Sequence, residues 1–250
     1  MTMPRDAGAL RIFVPVAIRA IFERLAPRLE AAAGRALAPA FDLNPAIPER
    51  ILAGEAYDIG LTNPPYVDAL VAAGRADGAS QRPFGRIPLA IGRRAGVEAP
   101  VLTDEAEIAA LLRGAESIAY TGDGTSGRTY LDAMARLGLS EAAAPKSRPM
   151  GAGGPVASVA AGETELAVGP LTTIMSSRGL VPAAIFPAAA GTQIDIAVFL
   201  STSCAAGAAD VLDVLAGTEL DTELAAAGVM RLDRRAGSPS DLGNVSRVKQ

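Results

Sequence analysis

The sequence predicts an α/β protein of two lobes, each with a parallel-rich sheet flanked by helices, and a cleft between them. Three observations carry this. Over the first 75 residues, apolar runs of strand length alternate with helical patterns through short connections, the signature of a parallel sheet. A second unit of the same kind runs from about residue 90 to about residue 190. The apolar pattern beyond residue 200 is helical and has no strands of its own, so those helices return to the first unit. The chain therefore crosses between the units twice, near Pro83 to Ile91 and near Pro187 to Ile196. The expected division is residues 8–85 with 195–232 as one lobe, 86–194 as the other, and 233–250 as a polar tail rich in Gly, Ser and Pro. With 250 residues, half of them hydrophobic, there is ample material for a core in each lobe.

Leu10 to Val16 reads as a strand buried on both faces. Ile18, Ile21, Phe22, Leu25 and Leu29 keep helical spacing up to Gly34, with Pro27 expected to kink the helix. Ala38 to Leu43 is a second strand, followed by a turn through Asn44-Pro45 and a helix from Glu49 to Ala53 that Pro48 introduces. Tyr57 to Thr62 is a third strand, Asn63-Pro64-Pro65 a rigid loop, and Val67 to Ala73 a helix. Ile87 to Arg93 is a strand, and Thr103 is the expected cap of a helix through Leu112, with Asp104 and Glu105 in its first turn. Ser147 to Pro155 reads as loop, Val156 to Ala161 as helix, and Glu165 to Gly169 as strand. Leu171 to Ser177 is a helix, Thr192 to Leu200 a long strand, and Cys204 to Leu215 and Thr222 to Ala226 are helices.

The stretch Ser117 to Leu139 is the most informative. A short apolar strand leads into a loop with three glycines, and then into a helix carrying Tyr130, Leu131, Met134 and Leu137. Such a turn makes an anion cradle: glycines let the backbone approach a ligand, and the free N–H groups of the first helical turn point at it. Thr125 and Ser126 are placed to cap that helix or to touch the ligand, and an ordinary capped connection would use the same residues. Gly122, Gly124 and Gly127 also spell G-x-G-x-x-G. A dinucleotide site needs an acidic residue ending the next strand, about twenty residues on. Ala142 to Arg148 has neither strand nor acid; only Lys146 or Arg148 could meet a 2′-phosphate.

Composition excludes several classes. The net charge is −4 with acids and bases interspersed, and four Tyr, six Phe and no Trp leave little for base stacking, so no nucleic-acid partner is expected. No apolar run reaches the length of a membrane span, so no membrane insertion is expected. One cysteine, Cys204, permits no intrachain disulfide. The absence of histidine removes Ser-His and Cys-His catalysis and imidazole metal sites, and neither metal nor cofactor is expected. The strand pattern begins at Leu10 with no preceding signal pattern, which points to the cytoplasm, or to the periplasm if the sequence is that of a mature form.

Several segments resemble the periplasmic molybdate-binding proteins, a branch of the type II periplasmic binding fold. They are FVPVAIRAIFERLAPRLEAAAGR, IPERILAGEAYDIGLT, GRTYLDAMARLGL after SIAY, and VASVAAGETELAVGPLTTI, together spanning about residues 10 to 232. The unit of helix, Ala-Gly-Glu and short strand occurs twice, at Ala53-Gly54-Glu55 and at Ala161-Gly162-Glu163. The resemblance implies a solute-binding protein with a small anionic ligand between its lobes; it leaves any transporter partner unknown. It carries ligand contacts onto Ala17 and Ile18, where the family usually has a serine, and onto Asn44, Thr62 and Asn63. In the second lobe it carries them onto Thr125, Ser126, Gly127 and Arg128, and onto Gly169 to Thr172. The family's tyrosine position corresponds to Ile194 or Asp195. These replacements make the site wider and more apolar than a tetrahedral oxyanion needs, and an organic carboxylate suits it better than molybdate.

Arg128 could pair bidentately with such a carboxylate, or be a solvated surface arginine. Some proteins of this appearance are isomerases of unsaturated carboxylic acids, aconitate isomerase among them, and that is the alternative function. Without histidine, the base for such a proton shift would be Asp195 or Tyr120, and the donors for the developing charge would be Thr125 to Arg128. Cys204 reads as a small buried cysteine.

Overall fold

A computed structural model describes residues 8–96 and 99–232. The expected tail at 233–250 lies outside the described residues. The first strand, β1 (Leu10–Pro15), pairs in parallel with both β2 (Leu37–Asp42) and β3 (Ile59–Thr62). Between β1 and β2 a short 3-10 turn, Val16–Ile18, leads into helix α1 (Arg19–Ala33), which continues across Pro27. Helix α1 buries Ile21, Phe22, Leu25 and Leu29, the residues that the 3.6-residue spacing singles out, and Gly34 closes it at φ 65°. Helices α2 (Ala46–Leu52) and α3 (Pro64–Ala72) follow β2 and β3, both starting three residues earlier than the sequence pattern suggests.

Strand β4 (Ala76–Arg94) is far longer than the seven-residue run its sequence suggests. From Ala76 to Pro88 it pairs antiparallel with β9 (Gln193–Ser201), and from Leu89 to Arg94 with β7 (Leu166–Pro170) and β8 (Leu180–Ile185). Strand β9 also pairs with β3, which closes a first sheet in the order β2-β1-β3-β9-β4. In the second sheet β5 (Ile118–Thr121) lies parallel to β7 and to β6 (Ser147–Met150), the latter read from sequence as loop. Hydrogen bonding thus runs unbroken from one sheet to the other through β4. The first part of β4 carries Gly78, Pro83 and Gly85, and its register with β9 shifts twice there. Gly85 is needed: a Cβ would lie 2.5 Å from Val229 Cγ1 and 3.0 Å from the Met230 carbonyl, where the C-terminal segment bridges back to Arg86.

Both halves are two-faced. In β1, Leu10, Ile12 and Val14 face α1, α9 (Ala208–Ala216) and α10 (Asp221–Ala226), while Phe13 joins Ile47, Ile51, Tyr57, Val67 and Phe199 on the other side. The second half packs Ile91, Ile118 and Val168 against α4 (Glu105–Gly114), α5 (Thr125–Arg136) and the short α6 (Ser140–Ala143). Helices α7 (Gly154–Ala161) and α8 (Leu171–Ser176) complete it. Asp58 is buried and accepts hydrogen bonds from the Arg11 N–H (2.8 Å) and the Ala205 N–H (2.9 Å), tying β1 to the segment before α9. Cys204 lies in that segment, ahead of the helix expected to contain it, and burial followed by the nearby Asp58 pushes its thiol pKa up.

Candidate functional site

The parallel strands β1, β2, β5 and β7 end on a common cavity of about 280 Å3 between the two halves. Clefts of this kind form where the carboxyl ends of parallel strands meet the starts of the following helices. Pro15, Val16, Ala17, Arg19, Leu43 and Asn44 form one wall; Thr121, Gly124, Thr125, Ser126, Gly153, Val156, Gly169 and Thr173 stand on the other. Ile194, at the start of β9, also lines it. Helix α5 begins here from Gly124 with no side-chain cap, so its first N–H groups are left for water or a ligand.

Arg19 is the one charged side chain among the described lining residues. Its guanidinium carbon sits 4.2 Å from the centroid of the Phe41 ring, a cation–π contact that steadies an otherwise exposed side chain. It forms no ion pair among the described residues, and no carboxylate lines the cavity. The one charge among the described lining residues is therefore positive, between walls that are largely apolar.

The structure brings Ala17, Asn44, Thr125, Ser126 and Gly169 together at this cavity. Thr62 and Asn63 are buried behind it. The Thr62 hydroxyl is 3.2 Å from Asn44 Oδ1 and 3.3 Å from the Asn44 carbonyl. Asn63 donates through Nδ2 to the Asp195 carbonyl (2.7 Å) and accepts through Oδ1 from the Thr125 hydroxyl (2.9 Å), which joins the two walls. Gly127 does not line the cavity: a Cβ there would stand 1.9 Å from the Thr121 carbonyl oxygen, so the glycine serves the close packing of α5 on β5. Arg128 is exposed and donates to the Tyr66 hydroxyl across the two halves.

Ile18 and Thr172 line a different, smaller cavity of about 130 Å3, with Arg24 and Met175, and the Thr172 hydroxyl donates to the Ala17 carbonyl. Asp195 does not line the main cavity. Its carboxylate is held in a two-point ion pair by Arg86 (2.6 and 2.8 Å), its register partner on β4, and this bond raises the Arg86 pKa. Tyr120 is half-buried, with its ring centroid 5.2 Å from that of Tyr130, and it too is absent from the lining. Lys146 donates to the Arg113 and Ala115 carbonyls and Arg148 to the Glu163 carbonyl, so neither is arranged around a phosphate. Sequence reasoning missed Arg19 and Thr173. For Arg19 there was a readable signal, because a cation in the first turn of a helix opposes the helix dipole and calls for another reason to be there.

Over residues 10–229 the chain matches the family described as bacterial extracellular solute-binding protein. The chain belongs to this family. Solved structures agree on the two-lobed fold. The periplasmic molybdate-binding protein of Azotobacter vinelandii is 18% identical with a TM-score of 0.74, over 89% of this chain and 99% of that one. The sulfate-binding protein SubI of Mycobacterium tuberculosis H37Rv is 14% identical with a TM-score of 0.69, over 91% and 88%. PEB3, a protein of Campylobacter jejuni, solved with L-phospholactate bound, is 9% identical with a TM-score of 0.66, over 89% and 100%. No curated protein matches the sequence. Among the described residues of this solute-binding protein, no helix is long and apolar enough to cross a membrane.

Proposed function

We propose that this solute-binding protein takes a small organic anion, a carboxylate, into the cavity between its halves. The observation that carries the reading is Arg19 as the single charge among the described lining residues, which also include the apolar Pro15, Val16, Pro155, Val156 and Ile194. A compact tetrahedral anion taken out of water calls for donors on all sides, since each buried charge without partners is costly. An organic acid needs donors for its charged group and apolar contact along the rest, and this lining offers both: Arg19, Asn44, Thr125 and Ser126 beside Pro15, Val16, Pro155, Val156 and Ile194. The volume of about 280 Å3 lies near the lower end of the usual range for ligand sites, roughly 300–1,000 Å3. The names of the structural neighbours, molybdate, sulfate and L-phospholactate binders, support an anion on this fold, and the last supports an organic one. On the same reading the protein delivers its ligand to a membrane transporter and works outside the cytoplasm, which cell fractionation tests.

The proton-shift alternative gains nothing from the cavity, whose described lining offers no carboxylate, thiol, phenol or amine as a base. The test is a thermal-shift screen of mono-, di- and tricarboxylates against molybdate and sulfate, since a ligand of the native state raises the midpoint. Organic acids are expected to stabilise, and Arg19→Ala to weaken them about 10- to 100-fold, the worth of a charged hydrogen bond. Stabilisation by molybdate and sulfate with none by organic acids would overturn the proposal.

A further inference from the structure

We infer that the ligand is a hydroxycarboxylate whose hydroxyl donates a hydrogen bond to Thr125 Oγ1; this rests on the carboxylate reading above. The Asp195 carbonyl can only accept, so the Asn63 side-chain atom 2.7 Å from it is the amide nitrogen. The amide oxygen of Asn63 then faces Thr125, and across that 2.9 Å contact Thr125 must be the donor. A threonine hydroxyl has one proton. With that proton committed to Asn63, Thr125 Oγ1 has only lone pairs to give a ligand.

Thr125 lines the cavity, so a carboxylate oxygen placed against its Oγ1 would meet lone pairs with lone pairs. Turning the Thr125 proton toward the ligand would strand Asn63 Oδ1, on a residue only 8% exposed, without a partner. The group at Thr125 is therefore a donor. On a small solute that means a hydroxyl or an ammonium. An ammonium taken out of water calls for a negative partner, and the described lining has none, while Arg19 repels it. A hydroxyl remains. The carboxylate goes to the groups that do donate, Arg19 and the Ser126 hydroxyl next along α5. Asn63 is thus a positioning residue: it never touches the ligand, yet it decides which way the Thr125 hydroxyl points.

The experiment is calorimetric titration of the protein with matched pairs that differ by one hydroxyl: malate and succinate, lactate and propionate, citrate and tricarballylate. For the pair that binds, the hydroxy acid is expected to be about five- to tenfold tighter than its deoxy partner, the value of one neutral hydrogen bond. Thr125→Val keeps the shape of the side chain and removes the lone pairs, so the ratio should fall to near one. Thr125→Ser should restore it. Reading the ratio cancels any loss common to both acids, such as a weaker join between the two walls. Equal binding within every pair, or a ratio that survives Thr125→Val, overturns this inference and leaves the carboxylate reading standing. Failure of every acid to bind, with binding of molybdate or sulfate, overturns both.

Discussion

Two helices of the second half begin in opposite ways. Helix α4 starts at the surface behind Asp104, whose carboxylate accepts from the Ala106 N–H (2.9 Å) and the Glu107 N–H (3.1 Å), with Glu105 and Glu107 adding negative charge to the first turn. Helix α5, of similar length, starts at the cavity behind Gly124, with no side-chain cap and no acid in its first turn. One helix completes its own hydrogen bonding and offsets its own dipole. The other leaves both tasks to whatever enters the cleft. A start that is poor for local stability is what an anion site uses.

Moving the first arrangement onto the second should have the largest effect. In Gly124→Asp the backbone, at φ −92° and ψ 159°, accepts any residue, and the new Cβ meets Thr121 Cγ2 at 3.2 Å and Leu43 Cδ2 at 3.6 Å, contacts a small shift relieves. The carboxylate would take the N–H groups at the start of α5 and put a negative charge in the cavity. Carboxylate affinity should fall by about 100-fold or more, with the melting temperature unchanged or higher. Affinity retained in calorimetry would mean that the anion does not sit at this helix.

The next effect is on stability. Gly127 is the third residue of α5, as Glu107 is of α4. Gly127→Ala should cost about 2–3 kcal/mol, because its Cβ has no room against the Thr121 carbonyl. Denaturant midpoints measure this, and a cost below about 0.5 kcal/mol, the range of an ordinary surface change, would contradict the close approach. The smallest effect is expected from Asp104→Ala, about 1 kcal/mol through loss of the cap, with ligand affinity unaltered. A drop in affinity in that variant would show that the two helix starts are not independent.

Much of the scaffold was legible in the sequence, because strands buried on both faces and the 3.6-residue stripe of α1 come from local patterns. The loop at Thr121 to Ser126 was legible for the same reason: glycines, hydroxyls and a helix start lie within a few residues. The first half of β4 was not. Ala76 to Pro83 is polar and carries Gly and Pro, and it is a strand only because β9 lies alongside to pair with it. Asp104, rather than the expected Thr103, caps α4, a difference of one residue that patterns rarely resolve. Of the candidate site, what escaped was tertiary. Asp195 looked like an acid near a cleft, but its partner Arg86 is roughly a hundred residues away in the chain, the kind of distant pairing that sequence spacing does not reveal. The resemblance carries a ligand contact onto Asn63, and no local pattern shows that its side chain bonds both the Asp195 carbonyl and the Thr125 hydroxyl.

The long strand that both sheets share also bears on the order in which the molecule is made. Pro88 and Gln193 face each other on one rung, where the chain leaves the first half and where it returns. Strand β9 lies inside the first sheet, between β3 and β4, yet among the described strands it is the last to be synthesised. The second sheet, by contrast, has all its partners for β4 by Ile185. A chain growing from its N-terminus can therefore assemble the second half while the first still lacks the strand that joins β3 to β4, and the part made earliest is the part that closes last. Until then β3 and the first stretch of β4 are edges awaiting a partner, and that interval is when the nascent chain is most open to pairing with the wrong one.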